Sequence, residues 1–290
     1  MDTSKCKALL CAIEEGTMAQ AAEKLGYTPS GISRMIVALE NETGFPLLYR
    51  GREGVVPTAE CEALLPSMRE LLFQEERYRQ TASAICGLNQ GTITVGIAHY
   101  GVYFKPLTEL MVEFHELYPN IRFQVVEDIS SELAAALKEH RIDLCIISKR
   151  SELLRWVPLL QDEILVMLSP RHPLAKLSAV PLACLNEENY IYIHADKESD
   201  NSLCLERNHI RLNNKFASVN DDTFALTMVE SGLGIAMLNG VIAQKLQGDV
   251  VFRPLEPAQY VEIGIATHAL AEVSPLVQKF VSLVEDKLLK

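Results

Sequence analysis

Apolar residues in the first sixty positions recur three and four apart, and glycines and capping residues cut the pattern into short helices. Leu9, Leu10 and Ile13 share one face, Gly16 breaks it, and Thr17 can cap a second helix carrying Ala21, Ala22 and Leu25. Gly26 ends that helix. Thr28 then supplies an N-cap with Pro29 at the first helical position, where its missing N–H costs nothing. In the third helix Ile32, Met35, Ile36 and Leu39 face inward, leaving Ser30, Ser33 and Arg34 outside. Two helices joined by a short glycine-containing turn form a helix-turn-helix. Past Gly44, the stretch Tyr49 to Pro57 has the glycine and valine content of a small hairpin or wing, with Arg50 and Arg52 near its tip.

From Thr58 to about Cys86 the pattern becomes one long helix. Cys61, Leu64, Met68, Leu71, Glu75, Tyr78, Ala82 and Ile85 alternate three and four apart in a heptad-like seam, interrupted by Glu75 and with Pro66 as a bend point. A dimerisation helix of roughly 40 Å is expected. From Gly91 the texture changes to alternating strand and helix. Strands are expected at Ile93–Ile97, Ile121–Val126, Asp143–Ile147, Ile164–Leu168, Tyr190–Ile193, Phe216–Val219, Gly234–Leu238, Val250–Phe252 and Val261–Thr267. Helices are expected at Val102–Leu117, Ser131–Glu139, near 201–208, 221–230 and 240–246, and from about Ser274. Two α/β lobes with a cleft at the carboxyl ends of their strands fit this order.

Composition narrows the classes. With 290 residues, 48% hydrophobic and 22% charged, the chain is a soluble globular protein of two or three units, and no apolar run approaches a membrane span. The charged start, MDTSKCKALLCAIEEG, lacks the features of a signal peptide, which predicts a cytoplasmic protein. A net charge of −11 argues against coating nucleic acid or an anionic membrane by bulk charge, so any DNA contact is local. Seven scattered cysteines without a CxxC pair read as reduced, packed thiols.

The order of these elements resembles the LysR-type transcriptional regulators over the full length. Ala21-Ala22-Glu23-Lys24-Leu25, Ser33-Arg34, Ile36, Leu39-Glu40, Gly44, Leu47-Leu48, Arg50 and Pro57-Thr58 follow that family's AAxxL, SRxI, LExxLG, LFxR and LT pattern. Val95-Gly96, Pro106-Leu107, Phe114, Tyr118-Pro119, Asp143-Leu144, His172-Pro173-Leu174-Ala175 and Val229 through Ala236 add weaker matches. Leu48-Tyr49, Pro57 and Glu60-Cys61 depart conservatively, whereas Ala98-His99-Tyr100-Gly101 replaces the small hydroxyl residues common after the first strand of the sensing domain.

The resemblance implies an α+β multidomain chain. A winged helix-turn-helix over 1–58 and a linker helix over 59–88 precede a two-lobed, periplasmic-binding-protein-like effector domain over 89–290. Lobe I takes about 89–160 and 266–290, and lobe II about 161–265. It also implies a cytoplasmic regulator, a homodimer or homotetramer on a double-stranded operator, with RNA polymerase as a candidate partner and no membrane association.

Physical chemistry supplies the candidate residues. Thr28, Pro29, Ser30, Ser33 and Arg34 stand where a helix N-terminus can enter a major groove, and the resemblance implies that Arg50 and Arg52 on the wing reach phosphate or the adjacent minor groove. The same trihelical unit could instead be a protein-interaction module. Residues 1–58 hold six Lys+Arg against seven Asp+Glu, so one copy should bind DNA weakly and several copies must share a site. For the effector, His99, Tyr100, Gly101, Ser130, Ser131, Ser148, His194 and Thr223 fall at strand ends and could hold a carboxylate or stack on an aromatic metabolite. Their bland alternative is helix capping and packing. No GxSxG, HExxH, Walker or GxGxxG motif and no helical histidine pair supports an enzyme, a metal site or a cofactor. A redox alternative rests on Cys204, roughly where peroxide-sensing relatives keep a reactive cysteine, and a lone thiol there is more readily structural.

Overall fold

Helix α1 (Thr3–Glu14) starts at Asp2, whose carboxylate accepts from Ser4 N at 2.9 Å. Helices α2 (Met18–Leu25) and α3 (Pro29–Thr43) start at Thr17 and Thr28, whose hydroxyls accept from Gln20 N at 3.2 Å and Gly31 N at 3.1 Å. Each cap satisfies an amide that the helix itself leaves orphaned. Gly26, at φ +71°, takes the left-handed turn that lets α3 follow α2 after three residues. Strands β1 (Leu48–Gly51) and β2 (Gly54–Pro57) pair antiparallel, with Arg50 opposite Val55. The wing is held to the α1–α2 turn by Val55 N donating to Gly16 O at 2.9 Å; at Gly54 (φ +127°) a Cβ would sit 2.3 Å from that same oxygen. Thr58 caps α4 (Ala59–Ile85) through Cys61 N and donates to Pro46 O, both bonds tying the wing base to the helix.

In this computed structural model residues 2–51, 54–87, 90–98, 105–148, 155–194, 197 and 199–288 are described. The chain divides into two units, Met1–Leu88 with Glu139–Arg141, and Asn89–Lys138 with Ile142–Lys290. The first unit's core is Leu9, Ile32, Ile36, Leu39 and Leu47, closed by Cys61 and Met68 from α4. Beyond Leu72 that core no longer covers α4, and Tyr78 (74%) and Ile85 (82%) are exposed. The helix continues through Pro66.

The second unit begins with β3 (Gly91–Ala98), α5 (Lys105–Leu117), β4 (Ile121–Asp128), α6 (Ser130–Lys138) and β5 (Leu144–Ser148), in which β3 pairs parallel with both β4 and β5. Long strand β6 (Arg155–Leu168) leads into the other half of the unit, built from β7 (Val180–Pro181), β8 (Asn189–Ile193), α7 (Asp200–Arg207), β9 (Asn214–Val219), α8 (Asp222–Glu230), β10 (Ala236–Asn239), α9 (Gly240–Ala243) and β11 (Val251–Glu256). Then β12 (Tyr260–Thr267) returns to the first half and α10 (Pro275–Leu288) closes it. Among the described residues one eight-stranded sheet runs β4-β3-β5-β12-β6-β11-β7, with β10 on β6, and β8-β9 form a parallel pair. The start of β6 pairs with β12, and its end pairs with β10 and β11. The unit therefore has two sheet halves joined at β6 and at the β11–β12 connection.

Several expected boundaries move. The strand expected at Ile164–Leu168 begins at Arg155, because Pro158 and the polar Gln161, Asp162 and Glu163 conceal its periodicity. Strand β10 starts at Ala236 rather than Gly234, and β11 extends to Glu256 through Pro254. The helix expected over 240–246 is the single turn α9. Of the helix expected from Val102, residues 102–104 lie outside the described residues, and α5 begins at Lys105. No described helix is long and apolar enough to cross a membrane.

Candidate functional site

On the first unit, Thr28, Pro29, Ser30, Ser33, Arg34 and Arg50 come together on the N-terminal half of α3. The hydroxyls of Thr28 and Ser30 lie 3.2 Å apart. Arg34, fully on the solvent side, donates from Nε to Ser30 O at 3.3 Å, which lays its guanidinium along the helix toward the N-terminus. That is the end where helix amides and dipole favour an anion. Arg50, on β1, turns back onto α3 and donates to Ser33 Oγ and to Glu40 Oε2, both at 3.2 Å. The other Glu40 oxygen accepts from Leu47 N at 2.9 Å and Leu48 N at 3.3 Å. Sequence reasoning quoted Glu40 within a motif without giving it a role. Its signal was the seven-residue step from Ser33, two helical turns on the same face. Arg52 lies outside the described residues.

On the second unit, a cavity of about 70 Å³ opens between the two sheet halves. It is lined by Ala98 at the end of β3, Ser130, His194 after β8, the α7 start at Asp200 and Asn201, Asp222 on α8, and Asn239 on β10, with apolar walls. The cavity lies at strand ends, where the cleft was expected. Ser148 is buried behind Ser130, and its hydroxyl donates to Asp200 Oδ1 at 2.6 Å, tying β5 to α7 across the cleft. The Ser130 hydroxyl accepts from Ser148 N at 3.3 Å. His194 takes a left-handed φ of 49°, and its N–H donates to Val219 O at 2.8 Å.

Other expected residues fall elsewhere. Thr223 is exposed within α8 and does not line the cavity; the cap there is Asp221, which accepts from Phe224 N. Ser131 is also outside the lining, in the first turn of α6. His99, Tyr100 and Gly101 lie outside the described residues. Asp222 falls within the stretch 220–223 expected ahead of a helix, whereas Asp200, Asn201 and Asn239 were missed, since only the strand order brings them together. Among the described residues the amide Nδ2 of Asn239, 5% exposed, has no hydrogen-bond partner. Near these carboxylates, burial pushes the Asp162 carboxyl up, with Asp200 adding to the rise against amide bonds from Val241 and Glu163. Among the described residues no lysine or arginine lines the cavity, and no group of three or more His, Cys, Asp or Glu could hold a metal ion.

Cys204 is 1% exposed, and burial pushes its thiol up despite the opposing Arg207 and Asn208. The same cause takes Cys61 to about 11 and Cys145 to about 12. Cys86, at the end of α4, is exposed.

Comparison with known proteins agrees with both halves. The bacterial regulatory helix-turn-helix protein, lysR family, matches residues 4–62, and the LysR substrate binding domain matches residues 87–289. The uncharacterized HTH-type transcriptional regulator YvbU of Bacillus subtilis is 29% identical over 290 residues, 99% of this chain and 98% of that protein. Among solved structures, a full-length OxyR variant from Pseudomonas aeruginosa superposes with a TM-score of 0.73 at 20% identity, covering 99% of this chain and 97% of that one. Full-length CbnR complexed with its target DNA gives 0.66 at 20% identity, covering 99% of each chain. The chain belongs to the LysR family of DNA-binding transcriptional regulators with an effector-binding domain.

Proposed function

We propose that this regulator reads its operator with the N-terminal half of α3 and responds to a small molecule in the cavity between the two sheet halves. The observation that carries the DNA reading is the capped start of α3, which presents Ser30, Ser33, Arg34 and the returning Arg50 on one exposed face. Arg34 would contact a base edge or the backbone, and the Thr28–Pro29 entry would lie against phosphate. Because the unit is not basic overall, affinity would come from several copies sharing a site. The uncovered Tyr78 and Ile85 on α4 support pairing of that helix with a second copy. The domain limits 1–58, 59–88 and 89–290 serve as the working division.

Ser130, Ser148 and His194 are the expected residues that reach or back the cavity, with Asp200, Asn201, Asp222 and Asn239 beside them. Its volume is under half of the roughly 150 Å³ that accepts one benzene ring, so an aromatic effector would have to open the cleft. Such opening would break the Ser148–Asp200 bond and shift the balance of the two halves. Effector and DNA then act on one equilibrium, the linkage expected of a regulator and not of a catalyst. A redox response through Cys204 gains no support from a buried thiol held in its protonated form.

The test is a salt-titrated anisotropy assay of the full chain on the DNA flanking its own coding region, with light scattering to count subunits. Specific binding by a dimer or tetramer, weakening steeply with salt, is the expected result. A folded oligomer that binds no duplex specifically at any salt would leave a protein-interaction module.

A further inference from the structure

The DNA-facing helix carries a carboxylate whose bonds do more than hold the wing. Glu40 takes donors from three positions: the amides of Leu47 and Leu48 on Oε1, and the Arg50 guanidinium on Oε2. Its side chain is 16% exposed and that of Arg50 is 41% exposed, so the pair sits at the rim, with the guanidinium still reachable from solvent. Through its other nitrogen Arg50 is bound to Ser33, which lies one residue before Arg34 on the exposed side of α3. The carboxylate therefore draws the wing cation away from the hairpin tip and sets it on the recognition helix.

We propose that Glu40 is a specificity-determining positioning residue, holding Arg50 against Ser33 so that its cation serves the operator face and not indiscriminate phosphate contact. This rests on the DNA-binding reading of α3. Phosphate contacts supply the sequence-independent part of DNA affinity, and each one adds about 0.9 to the slope of log affinity against log salt. A guanidinium tethered at Ser33 and neutralised by Glu40 contributes little to that part, yet it keeps N–H donors for a partner held in register by α3. The slight acidic excess over residues 1–58, six Lys+Arg against seven Asp+Glu, fits a unit that restrains non-specific binding.

The experiment uses the full chain, a random-sequence duplex of thirty base pairs, and a duplex selected by the wild-type protein from a randomised library. Failure of the wild type to select any duplex would sink the DNA reading itself. Given selection, Glu40→Gln keeps an oxygen for the Leu47 and Leu48 amides while removing the charge that tethers Arg50. Random-duplex binding should tighten about three- to tenfold at low salt, its salt slope should steepen by about one, and the ratio of selected to random affinity should fall severalfold. In an Arg50→Gln background, Glu40→Gln should lose that effect. An unchanged slope and ratio, or the same change without Arg50, overturns the proposal. Arg50→Gln needs no change at Glu40 and must lower the selected-to-random ratio by itself; an unaltered ratio also overturns it.

Discussion

The two units keep their polar groups under opposite conditions. On the first, the groups that matter stand on the surface of a frame in which the caps at Asp2, Thr17, Thr28 and Thr58 and the Glu40 carboxylate reach at most ten residues along the chain. On the second, Ser130, Ser148, Asp222 and Asn239 are buried at a seam between sheet halves whose strands come from positions as distant as β5 and β12. A face open to solvent needs only local rigidity, because water satisfies whatever the frame does not. At the buried seam these polar groups draw their partners from within the protein, Asn239 Nδ2 excepted among the described residues, so a small rearrangement there changes many bonds together.

The largest expected effect lies in the packing behind the sensor. Phe280, fully buried on α10, meets Phe114 at 5.2 Å and Phe123 at 5.1 Å between ring centroids, joining α5, β4 and α10. Phe280→Ala should cost about 3–5 kcal/mol in urea unfolding, through lost burial and the cavity left behind. DNA affinity per folded molecule should change little. A loss below about 1 kcal/mol would mean that this half repacks freely, and the contrast between a yielding surface and an interlocked core would fail.

An intermediate effect tests the reader. Arg34→Ala removes an exposed side chain that, among the described residues, is bonded to the Ser30 carbonyl, so stability should barely move. Affinity for a selected duplex should fall by about 1–3 kcal/mol if Arg34 reads a base. A uniform loss on selected and random duplexes alike would instead make it a phosphate contact.

The same contrast explains what could be read from the residues. Helix starts were legible because a cap and the amide it serves lie within three positions of each other, as at Thr17, Thr28 and Thr58. The face of α3 followed from periodicity. By contrast, β6 was legible only from Ile164, where burial on both faces makes a continuous apolar run; its earlier part pairs with β12 across about a hundred residues, and Pro158 breaks its pattern. Ser130 and His194 were found as strand-end residues, while Asp200 and Asn239 required knowing that α7 starts and β10 ends at one cleft. Thr223 and Asp221 both read as cap candidates from sequence, and in the structure Asp221 caps α8 while Thr223 stands outside the cavity lining.

The smallest effect sharpens the comparison within the first unit, where two threonines do the same structural work in different places. Thr17 and Thr28 each cap a helix through one amide. Loss of either hydroxyl should destabilise the unit by about 1 kcal/mol. Thr28 also stands beside Ser30 at the start of the exposed face, whereas Thr17 begins α2. Thr17→Ala should therefore shift the unfolding midpoint and leave DNA affinity per folded molecule unchanged, while Thr28→Ala should shift both. Thr28→Ser, which keeps the cap oxygen, should restore the midpoint and most of the affinity. Equal effects of the two alanine variants on binding would show that frame rigidity, and not the chemistry of the α3 entrance, governs DNA contact.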